Sequence, residues 1–446
     1  MSATHRCCIA LALSCIAATA ICLAADTPAH RFNVRDFGAK GDGVTDDTAA
    51  LNAAFAAAAK VVISEQPAPG EVYVNSLPEV YFPSGKYRLS APLNPTAHMV
   101  GEGNAVLYQP DRAVDIISST FIWRWRISGF TFLGGRNQIS VGNPNIDTGR
   151  IVIDKCVFQN SAGVAINIGD QSFSTQLTIT DCVFYGCDQV LVTYCDMTKM
   201  GDSWITTPAT MKNKAAIVEA HGWLLLDHIC GVPLVTPEND QRWIDNYGGV
   251  TCRNVRFGGE GGGFTAVVNK VRYEHTYPVI PSYLIFEGCN VYCWGNPKRR
   301  CMIYCEEVPN QITVRDCTGF PDLPAIAISD KINLDTYFDD AETRGEDCLR
   351  YLFDPDQVEF RNRELPEQMR PYQVGEVLGE AAPQKGIWHR GAFVRNRSPE
   401  GHWTPQGFVK STTRAEDEPY GWQCVEPGKP GKWRPVYFAT TLPPAK

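Results

Sequence analysis

Between Trp125 and Phe320 one phrase returns again and again. It is an apolar-x-apolar strand, two or three polar residues, a small core residue, one spacer and, in most copies, an aromatic. It reads WRISGFTF (Trp125–Phe132), IVIDKCVF (Ile151–Phe158), LTITDCVF (Leu177–Phe184), LLLDHICG (Leu224–Gly231), VTCRNVRF (Val250–Phe257), LIFEGCNVY (Leu284–Tyr292) and ITVRDCTGF (Ile312–Phe320). Phe130, Cys156, Cys182, Ile229, Val255, Cys289 and Cys317 occupy equivalent places, mostly 26 to 34 residues apart. The step from Cys182 to Ile229 fits two coils, or one coil with a long insertion. A period in the twenties with about three short strands per turn predicts an all-β solenoid, a parallel β-helix. A leucine-rich repeat would need its leucine–asparagine pattern, which is absent. An antiparallel sandwich would not explain the equivalent cysteines.

Second strands lie between these copies: AINIG (Ala165–Gly169), VLVTY (Val190–Tyr194), AIVEAHG (Ala216–Gly222), TAVVNK (Thr265–Lys270), CMIYCE (Cys301–Glu306) and AIAISD (Ala325–Asp330). Their alternation sends every second side chain to the core and the others outward. Of 17 cysteines, Cys7, Cys8, Cys15 and Cys22 fall in the first 25 residues, leaving thirteen, an odd number. An exported chain suggests disulfides, yet several cysteines sit at the recurring core position, which suits buried thiols. Cys289, Cys293, Cys301 and Cys305 form two C-x3-C pairs whose spacing is compatible with zinc, but strand residues four apart also share one inward face.

The N-terminal region carries the most specific motif. FNVRDFGAKGDGVTDDTAAL (Phe32–Leu51) reads as a short apolar strand, a turn with Gly38, Gly41 and Gly43, and a helix from Thr48 to about Lys60. Thr45, Asp46 and Asp47 offer oxygens to cap that helix, a structural reading preferred over a catalytic carboxylate pair. VYFPSGKYRLS (Val80–Ser90) follows as strand, turn, strand. These phrases resemble the opening of right-handed parallel β-helix proteins in the rhamnogalacturonase, epimerase and pectate-lyase-like superfamily. The resemblance implies a right-handed solenoid whose open N-terminal end is covered by the helix, as an unpaired first coil requires. It also implies that the second-strand series lines a polysaccharide groove.

Around this core the chain divides as residues 1–25 signal peptide, 26–330 capped β-helix, 331–371 partly helical segment and linker, and 372–446 small C-terminal β module. The first part pairs a basic start (His5, Arg6) with an apolar run from Ile9 to Leu23 and small residues after it, the pattern of an export signal. A secreted or periplasmic location follows, with no membrane attachment after cleavage. GIWHRGAFVRNRSPEG and GWQCVEPGKPGKWRPV resemble a module appended to phage tailspikes and other β-helix proteins, a likeness with which a homotrimer is compatible. Trp388, Trp403, Trp422 and Trp433 there read as module core in preference to sugar platforms. A net charge of −8 argues against nucleic acid as a partner.

A solenoid alone names no activity. Carboxylates, histidines, cations and aromatics are densest from Asp196 to Tyr277, the mixture expected of a carbohydrate cleft. A lyase acting on a uronate needs a cation to neutralise the sugar carboxylate and a base to take the neighbouring proton. Lys270, Arg256 and Arg272, with Ca²⁺ as a candidate cofactor, suit the first task. His221, His275, Tyr277 or Lys270 suit the second. A glycoside hydrolase would instead draw two carboxylates from Asp202, Glu219, Asp245 and Glu260. Trp204 and Trp243 are candidate sugar platforms. The Asn-Thr-Asp, mid-solenoid Asp-Asp and Gly-His-Gly motifs of polygalacturonase-type hydrolases are absent. The expectation is an exported protein cleaving an acidic polysaccharide by β-elimination, with a hydrolase or a non-catalytic glycan-binding protein as alternatives.

Overall fold

A computed structural model describes residues 31–318 apart from 62, 66–73, 121–122, 143–148, 170–173, 207–215, 232–239, 261–262, 272–281 and 295–298. Beyond residue 318 it describes 326–328, 358–361 and segments between 377 and 437. The expected signal peptide and the acidic segment 335–353 lie outside the described residues.

The chain winds as a parallel β-helix. Each coil places two short strands in a 20-stranded sheet and a third in a nine-stranded sheet, every pairing within these two sheets being parallel. One full coil runs Ile151–Asp154, Val157–Gln159 and Val164–Ile168, and each strand pairs with its counterpart one turn on. The first two strands of a coil meet at a one-residue corner in the left-handed backbone region. Lys155, Asp181, Asp202, His228, Asn254 and Asp316 hold that conformation, with Gly129 and Gly288 at the equivalent place. Asn, Asp and Gly tolerate it best. The next residue turns inward, which is why the small core residue recurs there. Ser203, following Asp202, belongs to this series: its Oγ accepts from the Cys182 N–H at 3.2 Å and donates to the Gly201 carbonyl at 2.7 Å. The long step from Cys182 to Ile229 is therefore two coils.

Stacking identical rungs builds the core as ladders. Phe132, Phe158 and Phe184 stack at centroid separations of 5.0 and 4.9 Å with nearly parallel planes. The cysteines behave as small apolar side chains. All those described are free thiols and all but Cys230 are buried. Burial pushes the Cys156 and Cys252 thiols well up, so they are inert as nucleophiles.

The N-terminal end is closed by a helix, Thr48–Ala59, whose Leu51, Ala54, Phe55 and Ala58 are buried. Its capping departs from expectation. Asp47 stands at the N-cap but makes no side-chain bond to the helix. Instead it clamps the glycine turn, accepting from the Lys40 and Gly41 N–H groups at 2.6 and 2.9 Å. Asp46 takes over the helix end, accepting from the Thr48 N–H at 3.0 Å and from Ser90 Oγ at 2.5 Å. Hydrogen bonds from Ser90 and Thr48 hold its carboxyl below the ordinary range. Both carboxylates are structural.

Past the main body, Val358–Arg361 pairs with Gln311–Arg315, so solenoid pairing reaches into the passage expected as linker. Further on, Val377–Gly379, Phe393–Asn396, Gly421–Glu426 and Lys432–Val436 form a four-stranded sheet. Trp422 and Trp433 pack there against Val394 and Cys424, as the core of a small module.

Candidate functional site

The nine-stranded sheet carries the polar cluster. Its strands Gln189–Thr193, Val218–Ala220, Asp240–Asn246, Gly263–Asn269 and Arg299–Cys305 run side by side in register. One row across them reads Val192, Glu219, Asp245, Val268, Tyr304. Two residues on, and so on the same face, lies a second row: Tyr194, His221, Tyr247, Lys270 and Glu306. Their backbone N–H groups continue the ladder onto the Ile168, Thr193, Ala220, Asn246 and Asn269 carbonyls at 2.8–2.9 Å. Residues far apart in sequence thus become neighbours about 4.8 Å apart because they share a rung position.

The second row is a stack. The His221 ring lies between Tyr194 and Tyr247, with centroids 3.9 and 4.4 Å away and planes within 10°. Its Nε2 is 2.8 Å from Glu219 Oε1. Beside it, Lys270 Nζ meets Glu306 Oε1 at 3.1 Å and Arg242 meets Asp245 Oδ2 at 3.2 Å. The His221 and Asp245 side chains are only 3% and 8% exposed, so these charges act in a partly desolvated setting. Burial pushes the Asp245 carboxyl up from its ordinary value. Arg242 and Lys270 pull it back, while Glu219 and Glu306 push it further up. All four therefore act on one carboxyl.

The corner after this row is built to hold it. Asn246 Nδ2 donates to the Gly248 carbonyl at 2.8 Å and to Asn269 Oδ1 at 2.9 Å. Asn269 Oδ1 also accepts from Ser282 Oγ at 2.7 Å, and its Nδ2 donates to the Glu307 carbonyl at 2.7 Å. Gly222 and Gly248 follow His221 and Tyr247 because backbone passes close by. A Cβ on Gly222 would sit 2.8 Å from the Cys195 carbonyl carbon and 3.0 Å from the Asp196 oxygen, and one on Gly248 would meet Gly222.

Of the residues expected from sequence, the structure brings together His221, Glu219, Asp245 and Lys270. Tyr194, Tyr247, Arg242 and Glu306 join them without having been singled out. Tyr194 and Glu306 could have been found by superposing VLVTY, VEAH, VVNK and MIYCE, since each ends at the same rung position. The strand Asp240–Asn246 was missed as a member of this series, and Arg242 and Tyr247 with it.

Other candidates lie elsewhere. Asp202 is the left-handed corner residue described above, its N–H bound to the Asp227 carbonyl on the 20-stranded sheet. Its presence there is explained by the turn. Arg256 and Trp204 belong to that same sheet, linked through Cys230 in one register row. Trp204 is 44% exposed and donates to Thr206 Oγ1 at 2.7 Å. Trp243 is no sugar platform: it is fully buried, edge-on to Phe257, with Nε1 donating to the Gly258 carbonyl at 2.8 Å. Gly231 leaves the space its ring fills. The Glu260 backbone pairs with Trp294 on the 20-stranded sheet, and its side chain lies outside the described residues. So do Arg272, His275 and Tyr277. Among the described residues no group of three His, Cys, Asp or Glu side chains is placed to hold a metal ion, and no helix is long and apolar enough to cross a membrane.

Residues 31–113 match the family described as rhamnogalacturonase A/epimerase, pectate lyase-like. The opening signature is thus similar to that family's. The match covers the cap and first coils and stops short of the polar cluster. Among curated proteins, mannuronan C5-epimerase AlgE2 of Azotobacter vinelandii is 40% identical over 81 residues, covering 16% of this chain and 7% of that protein. Alginate lyase 7 of the same organism is 51% identical over 59 residues, covering 13% and 5%. The chain thus spans less than a tenth of the length of these relatives. Among solved structures, the A-module of the A. vinelandii mannuronan C-5 epimerase AlgE6 aligns over 67% of this chain and 98% of its own, with 15% identity and a TM-score of 0.39.

Proposed function

We propose that this protein is exported and acts on a uronate-containing polysaccharide, withdrawing the proton beside the sugar carboxylate and cleaving the chain by β-elimination. The observation that carries the reading is the stacked row Tyr194–His221–Tyr247 with Glu219 on the histidine and Lys270 and Arg242 alongside. The proton to be removed is weakly acidic until the carboxylate charge is neutralised. Lys270 and Arg242 are the cations placed for that task. His221, oriented by Glu219, takes the proton. The electron pair released from the C–H bond forms the new carbon–carbon double bond as the glycosidic C–O bond breaks. A tyrosine hydroxyl of the stack, Tyr194 or Tyr247, returns a proton to the leaving oxygen.

The names of the N-terminal relatives favour one second reading. Epimerisation starts with the same proton withdrawal and ends by returning a proton to the opposite face of the carbon, with no bond to the next sugar broken. A hydrolase is less well supported. Two of its four candidate carboxylates, Asp202 and Glu260, sit on the other sheet, which leaves Glu219 and Asp245 alone in register beside His221.

The purified protein would be incubated with alginate, polygalacturonate and a neutral glucan, with and without calcium. Ultraviolet absorbance, reducing ends and, in D₂O, deuterium uptake into the polymer would be followed together. New absorbance lost in His221→Ala and Lys270→Ala is the expected result. Deuterium uptake without absorbance would select epimerisation, and reducing ends without either would select hydrolysis. Binding to the glycan with none of the three would overturn the enzyme reading.

A further inference from the structure

One residue beyond the polar row the chain rounds a corner into the neighbouring sheet, and there an exposed tryptophan meets a half-buried tyrosine. Trp223 follows His221 by two residues and is 41% exposed. It opens the strand Trp223–Asp227, paired on one side with Met197, itself 51% exposed, and on the other with Gly249. Tyr283 opens the next strand, where Leu284 pairs with Val250. Trp223 and Tyr283 therefore stand two rungs apart, about 9.5 Å of backbone separation. Their ring centroids are nevertheless 6.4 Å apart with the planes inclined by 48°. The rings lean toward each other over Gly249, which contributes no side chain to hold them apart. Trp223 Nε1 reaches Thr251 Oγ1 at 3.4 Å, fixing the tilt. Exposed Lys199 lies on the Met197 strand, paired with Leu225.

We propose that Trp223 and Tyr283 form a glycan-binding subsite that stacks a pyranose ring of an acidic polysaccharide and feeds the chain to the polar row. The proposal rests on the site reading given above. Three observations select this occupant. Exposed Trp223 and half-buried Tyr283 each offer an apolar ring face with a polar edge, which matches the apolar face and hydroxyl rim of a sugar ring. The platform is continuous with the cluster: a single corner residue, Gly222, separates Trp223 from His221. Exposed Lys199, two residues beyond Met197 on the adjoining strand, adds a cation beside the platform, which suits a polyanion rather than a neutral glycan.

The test compares full-length wild type with Trp223→Ala, Trp223→Phe and Tyr283→Ala. Affinity electrophoresis in gels containing alginate, polygalacturonate or dextran gives binding, and turnover is followed on polymer and on trisaccharide. Trp223→Ala is expected to weaken binding to an acidic polymer about tenfold, through KM rather than kcat on polymer. Trp223→Phe, which keeps a stacking ring, should stay within about threefold. An unchanged melting curve guards against a folding artefact. Equal binding by wild type, Trp223→Ala and Tyr283→Ala would overturn the subsite while leaving the catalytic reading intact. Trp223-dependent binding of an acidic polymer by a wild type that turns nothing over would uphold the subsite and remove the catalytic reading. Trp223-dependent retention on dextran alone would overturn it.

Discussion

The corner between His221 and Trp223 makes a sharp test of how the site is held. Gly222 is not in a left-handed conformation, so alanine costs nothing in backbone strain there. The whole cost is steric. An added Cβ would lie 2.8 Å from the Cys195 carbonyl carbon and 3.0 Å from the Asp196 oxygen, backbone atoms that no side-chain rotation can move aside. Overpacking of this kind costs about 1–3 kcal/mol and more where backbone must shift, so Gly222→Ala should lose about 3 kcal/mol. Gly103 is the control of opposite character. Its φ is +77° but nothing lies within 4 Å of an added Cβ, so Gly103→Ala carries only the left-handed penalty of about 1–2 kcal/mol. Urea denaturation followed by circular dichroism would measure both. Because the displaced segment carries His221 on one side and Trp223 on the other, Gly222→Ala should also lose both turnover and glycan binding, whereas Gly103→Ala should spare them. A Gly222→Ala protein as stable as wild type and fully active would refute the claim that close backbone approach fixes the corner.

Two further outcomes follow from the same geometry. Phe158 stacks between Phe132 and Phe184 at about van der Waals separation, so Phe158→Ala should cost about 3–5 kcal/mol by equilibrium denaturation without altering affinity for glycan in the fraction that remains folded. Asp245 has a carboxyl pushed up by burial. A raised carboxyl contributes stability below its unfolded pKa of about 3.9 and loses it as pH rises through the folded value. The stability of Asp245→Asn relative to wild type should therefore increase with pH across that window and then level off. A flat difference in a pH series of urea midpoints would contradict the raised carboxyl.

The solenoid was legible because its repeat is written in two independent registers, the apolar strand and the small residue after the corner. Where one register lapsed, the reading lapsed too. Ser203 is polar and breaks the core series, so its coil stayed undecided against a long insertion until the structure placed its hydroxyl between the Gly201 carbonyl and the Cys182 N–H. Trp243 misled for the converse reason. A tryptophan among charged residues looks like a sugar platform, and only the glycine at 231, a full coil-strand away, reveals the hole it fills. The site was half legible. His221, Glu219 and Lys270 sit in strands with clear alternation, but whether two residues on different coils touch depends on register, and register needs every coil counted. Asp202 and Glu260 entered the same list by proximity in sequence and fell on the other sheet.

The composition of the polar cluster itself argues for function. Buried ion pairs are weak contributors to stability, since desolvation consumes most of the Coulombic gain, and well-packed apolar residues often do better. This sheet demonstrates the apolar alternative in its own rows: Val192 and Val268 occupy the rung positions on either side of Glu219 and Asp245. A fold selected for stability alone could continue the valines across. Instead Glu219, His221, Arg242, Asp245, Lys270 and Glu306 are drawn together within adjoining strands, and an aromatic stack holds the histidine in place. Asp245, whose carboxyl is pushed up by burial, stands on one face with a histidine, two cations and two further carboxylates, and a perturbed acid gathered with such groups is a mark of functional sites. The structural carboxylates of the cap give the contrast. Asp46 and Asp47 are satisfied by backbone N–H and hydroxyl donors of their own turn, so their geometry is accounted for by the turn, and the geometry of the cluster is not.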